Sequence, residues 1–184
     1  MRKRALALLS LACSLSLLGA CHPGAGDSSQ SSSSSTPSPS PTEQIEAELT
    51  IDLATLKKLM ADEASFALIA HRHTCPYCQD TIPFVLDYMG RESEAEDRDS
   101  SYVPLPLYLV NTQDDRPLVD FLTDLLIPLA DPDSTAAQTG TLFIPNLAVF
   151  LAGEPVSFEI GLPQTQELMD ARLDEVKAQI ATQP

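Results

Sequence analysis

From residue 45 onward the apolar positions switch between two rhythms, and the switches mark the elements. Ser65 to Ala70 (SFALIA) and Leu105 to Asn111 (LPLYLVN) are continuous apolar runs of buried-strand length. Asn146 to Gly153 (NLAVFLAG) is a third. Pro155 to Gly161 alternates Val156, Phe158 and Ile160, and the Gly153-Glu154 junction predicts an antiparallel hairpin between these last two runs. Glu48 to Ile51 alternates briefly and predicts a short first strand. Between the runs the period lengthens to that of a helix. Leu53, Leu56, Leu59 and Met60 follow Asp52, an N-cap residue type. Ile82, Val85, Leu86 and Met89 form a second stripe, with Pro83 inside it as an expected kink. Leu118, Phe121, Leu122 and Leu125 form a third, and Leu168, Met169, Leu173, Val176 and Ile180 a last one, over about Gln164 to Ala181. Arg91 to Ser101 and Pro128 to Gly140 read as connections, the latter with room for a helical turn. The predicted order is β-α-β-α-β-α-β-β-α, an α/β sandwich around a mixed sheet.

The first 44 residues follow neither rhythm. Arg2, Lys3 and Arg4 precede an apolar run from Ala5 to Leu17, and Leu18-Gly19-Ala20-Cys21 follows. This is the layout of a secretory signal over residues 1–20. It resembles a bacterial lipobox. That resemblance implies cleavage before Cys21, lipidation of its thiol, and an extracytoplasmic domain anchored to a bacterial membrane. An ordinary signal peptide cut near Ala20 is the alternative. Residues 21–44, rich in serine and proline, bury too little to fold and read as a tether. About 140 residues, 45–184, remain for one domain.

Charge narrows the partners. The chain carries 11 basic and 26 acidic side chains, a net charge of −15, and three of the basic groups lie in residues 1–20. Cleavage would leave eight against 26, or −18. So large an excess argues against nucleic acid as a partner and against direct adhesion to anionic lipid.

The chemistry concentrates in HRHTCPYC, residues 71–78. With Cys21 lipidated and Cys13 removed, Cys75 and Cys78 are the two thiols left in an oxidising compartment. They stand directly after an apolar strand, with Pro76 at the first helical position. There Cys75 faces unpaired N–H groups and the positive end of the helix dipole, which favour a thiolate, and Cys78 sits one turn behind. A redox pair is the first reading. Histidines 71 and 73 supply two imidazoles, so His71, His73, Cys75 and Cys78 together could instead hold zinc or copper(I). A structural staple is the weakest reading, because a CxxC disulfide closes a very short loop.

The context resembles a thioredoxin-like domain over about residues 48–181. The residues that carry the resemblance are Cys75-Pro76-Tyr77-Cys78 and TLFIPNLAVFLAGEPVSFEIG, with Pro145 and the Gly153 and Gly161 turns. Thr74 to Cys78 is most similar to the bacteriocin-transport accessory-type proteins, and the Pro-Tyr dipeptide is the one found in glutaredoxins. The resemblance implies a three-layer thioredoxin-like sandwich with a C-terminal hairpin and a final helix. It implies a cis Ile144–Pro145 bond packed against the cysteines. It also implies a thiol–disulfide oxidoreductase that needs no cofactor beyond its own disulfide, acts on protein dithiols or disulfides, and exchanges electrons with a further partner. Cys75 and Cys78 would be catalytic, supported by Pro76, Tyr77, Ile144, Pro145 and His73, the last favouring the Cys75 thiolate when protonated. Two departures stand out. Ile69 occupies the place of the buried acid of thioredoxins, and the chain has no tryptophan. A non-catalytic thioredoxin-like binding lipoprotein is the alternative from another class.

Overall fold

The computed structural model describes residues 39–182. The signal, Cys21 and most of the tether lie outside them. Four strands form one sheet: β1 (Phe66–His71), β2 (Leu107–Asn111), β3 (Asn146–Leu151) and β4 (Glu154–Ile160). Their order is β2-β1-β3-β4, with β1 parallel to β2 and antiparallel to β3, and β3 antiparallel to β4. The helices are α1 (Pro41–Leu49), α2 (Leu53–Ala61), α3 (Pro76–Arg98), α4 (Arg116–Leu126), α5 (Thr135–Thr139) and α6 (Gln166–Ala181). A 3₁₀ turn, Ile127–Leu129, and α5 occupy the connection read from Pro128 to Gly140.

The period of two along each strand builds two cores. Ala67, Ile69, Leu107, Leu109, Leu147 and Val149 face α3 and α6, and Ile45 and Leu49 of α1 join that side. Phe66, Leu68, Ala70, Val110, Ala148 and Phe150 face α2 and α4. The Phe66 and Phe150 rings stack at 4.5 Å between centroids. Helices on both faces of a mixed sheet, with a βαβ unit followed by a ββα unit, give the three-layer thioredoxin-like sandwich anticipated above.

The hairpin turn is set by backbone geometry. Ala152 and Gly153 both have positive φ, 49° and 80°, as a two-residue primed turn requires. A Cβ on Gly153 would lie 2.2 Å from the Met60 carbonyl oxygen, so only glycine fits under the end of α2.

Three expectations are corrected. Residues 48–51 are not a first strand. Glu48 and Leu49 close α1, and only Thr50 and Ile51 approach the sheet, the Ile51 N–H donating to the Leu109 carbonyl at 2.9 Å. Four alternating residues suit a helix end as well, because Ile45 and Leu49 are one turn apart. Residues 41–44, read as tether, are the first turn of that helix, held by a reciprocal Ser40–Glu43 capping box. Residues 91–98 are not a connection but the last turns of α3. Intrahelical Arg91–Asp87 and Arg98–Glu94 pairs and the buried Glu92 carry the helix through the charged run. The same helix passes continuously through Pro83.

Candidate redox site

Cys75 is the N-cap of α3, at the end of the loop that leaves β1. Its sulfur accepts the Cys78 backbone N–H at 3.2 Å. Pro76 at the first helical position has no N–H to satisfy, so the first turn closes around the sulfur. Cys75 is half-buried, whereas Cys78 is 1% exposed. Burial, and then the contact with Cys75, pushes the Cys78 thiol up to about 12. Cys75 is therefore the less buried of the two, and Cys78 is held behind it as a neutral thiol.

The loop before β3 completes the site. The Ile144–Pro145 bond is cis. The Ile144 carbonyl oxygen lies 4.0 Å from Cys75 Sγ, and the Pro145 carbonyl accepts the Gly161 N–H at 2.9 Å. Tyr77 reaches the same turn, its hydroxyl donating to the Leu162 carbonyl at 3.0 Å. The CxxC loop is thus fastened to the segment that follows β4, a role of Tyr77 that sequence spacing did not reveal.

The two histidines and the two thiols do not form one ligand group. His71 ends β1, is 2% exposed and presents a buried Nε2 with no hydrogen-bond partner among the described residues. Burial, with a smaller contribution from His73, lowers its pKa to about 4 and keeps the ring neutral. The rings of His71 and His73 meet edge to face at 5.3 Å. His73 Nδ1 lies 3.8 Å from Glu46 Oε1, on α1. Among the described residues, Glu46, His71 and His73 gather ligand atoms within 4.8 Å of one another, and the thiols are not in that group. The zinc or copper(I) set of two imidazoles and two thiolates is therefore not assembled. A cleft of about 250 Å³ runs between α1 and α3, lined by Glu46, His71, His73, Cys78, Gln79 and Ile82 among others.

Glu92 is a residue the sequence did not single out. It is 6% exposed and lies on α3, away from the thiols. It accepts from Lys177 Nζ at 2.7 Å, from the Leu105 amide at 2.7 Å and from the Tyr102 hydroxyl. Burial pushes its carboxyl up, but these three donors outweigh it and hold the group below the ordinary carboxylate range.

No family model and no curated protein matches the chain. Solved structures do. Mitochondrial thioredoxin 3 of Saccharomyces cerevisiae is 8% identical, with 71% of this chain and 98% of that one covered and a TM-score of 0.44. A thioredoxin variant from Halobacterium salinarum is 20% identical over 74% and 93%, with a TM-score of 0.44. Thioredoxin O1 of Arabidopsis thaliana is 12% identical over 72% and 96%, with a TM-score of 0.45. The fold class rests on the strand order and the helices on the two sheet faces, and these likenesses add no weight to it.

Proposed function

We propose that the chain is a membrane-tethered extracytoplasmic thiol–disulfide oxidoreductase that works through Cys75 and Cys78. The observation that carries this reading is the division of labour in the pair. Cys75 is only half-buried and its Sγ is held at the helix N-terminus by the Cys78 amide, and Cys78 is buried one turn behind it. In the forward direction the Cys75 thiolate attacks one sulfur of a substrate disulfide. The substrate S–S bond breaks, a Cys75–substrate bond forms, and the departing sulfur takes up a proton. Cys78 then loses its proton and attacks Cys75 Sγ. The mixed disulfide breaks, the second substrate sulfur leaves and is protonated, and the Cys75–Cys78 disulfide remains. Two electrons and two protons have passed to the substrate. The same steps reversed oxidise a dithiol. Ile144 and Pro145, beside Cys75, would present backbone to a substrate segment. The electron-transfer partner is a second protein dithiol or disulfide.

The finer resemblance to the bacteriocin-transport accessory-type proteins rests on Thr74 to Cys78, and the membrane tether rests on the Leu-Gly-Ala-Cys21 boundary. Substituting Cys21→Ser should release the protein from the detergent phase. Equal partitioning of variant and wild type would remove the anchor from the account.

The redox chemistry is tested by equilibrating the protein in glutathione buffers and counting free thiols by mass. The Pro-Tyr dipeptide and the absence of a buried acid at Ile69 place the expected potential at about −200 to −230 mV. A pair that does not interconvert in such buffers would sink the reading.

A further inference from the structure

The geometry points to a divalent transition-metal site of the zinc class formed by Glu46, His71 and His73, separate from the thiol pair. It does not depend on the redox reading, because neither cysteine is a member.

Three observations meet there. The ligand atoms of the three side chains lie within 4.8 Å of one another, and His73 Nδ1 and Glu46 Oε1 are already 3.8 Å apart. Ligands at zinc bond lengths in a tetrahedral site are separated by about 3.3 Å. Side-chain rotation supplies the difference, and the His73 side chain, 61% exposed, is free to move. Second, His71 is 2% exposed and its buried Nε2 has no partner among the described residues. An unsatisfied buried nitrogen is costly, and a bound cation would relieve that cost. Third, His71, His73 and Glu46 all line the cleft between α1 and α3. A cation bound there would retain coordination positions facing the cleft.

The donor set selects the ion. Two imidazole nitrogens and one carboxylate suit zinc and its neighbours in the first transition row. Calcium and magnesium prefer all-oxygen sets, and the set lacks the thiolates that favour copper(I). Three protein ligands with an open position resemble a reactive or exchangeable site more than a closed structural one. The net charge of −15 favours a cation in general.

The test titrates Zn²⁺ into the full chain in detergent by calorimetry, with Co²⁺ as a spectroscopic substitute. One Zn²⁺ should bind per chain, and the Co²⁺ complex should show ligand-field bands without thiolate charge transfer. Glu46→Gln and His73→Ala, both at positions that reach solvent, should each weaken binding at least about tenfold, as loss of even an outer-sphere partner commonly does. The Cys75→Ser/Cys78→Ser double variant should bind within about twofold of wild type, since the set holds no thiol. Absence of binding would overturn the site. So would binding indifferent to Glu46→Gln and His73→Ala, or thiolate charge transfer that disappears in the double variant. Thiol counting in glutathione buffer reads the redox pair separately, so failure of one assignment leaves the other standing.

Discussion

The backbone N–H of Cys78 donates to the sulfur of Cys75 at 3.2 Å, so the thiol that caps α3 is held by the residue whose own thiol the helix buries. Reactivity should follow that arrangement. In reduced protein, limited iodoacetamide treatment and peptide mapping should find Cys75 modified first, with Cys78 slower by about tenfold or more. Faster modification of Cys78 would reverse the roles.

The burial of Cys78 also has a consequence for stability. Its folded-state pKa is raised from the ordinary thiol value of 9.0 to about 12. Above the ordinary value the unfolded chain releases this proton while the folded chain keeps it. The stabilisation is therefore complete below about pH 9 and is lost as pH rises from there toward about 12, at no more than about 1.4 kcal/mol per pH unit. Urea midpoints of reduced wild type should fall more steeply above about pH 9 than those of Cys78→Ser, which lacks the titrating thiol. Parallel curves would contradict the burial assigned to Cys78.

Glu92 gives a prediction unconnected to the thiols. Removing its carboxylate leaves the Leu105 amide, the Tyr102 hydroxyl and the Lys177 ammonium without their acceptor. Glu92→Ala should lower stability by about 2–3 kcal/mol, read from denaturant midpoints, with the thiol–disulfide equilibrium unchanged. A neutral effect would mean that the three donors find other partners.

The sheet was legible because its strands are short apolar runs, and three of the four are buried nearly along their length. The placement of Cys75 and Cys78 at the start of α3 was legible because its determinants are local: a strand, two cysteines and Pro76 within a dozen residues. What escaped depends on distant contacts. Pro41 to Leu49 carries few apolar residues, and it is a helix because Ile45 and Leu49 lie against the α3 side of the core. Its Ser40–Glu43 capping box was the one signal that could have found it. With α1 read as tether and strand, Glu46 could not be seen facing His73. Glu92 was hidden for a different reason. It sits in RESEAEDR, where a carboxylate is ordinarily solvated, and only Lys177, 85 residues away, reveals that it is buried.

The most direct test of the central claim is capture of a mixed disulfide. Cys78→Ser removes the resolving thiol, so the bond between Cys75 and a substrate sulfur should persist. A non-reducing gel of the full-length protein should then show adducts that dithiothreitol dissolves, and Cys75→Ser should show none. Adducts in neither variant, or equal adducts in both, would contradict a mechanism in which Cys75 attacks and Cys78 resolves.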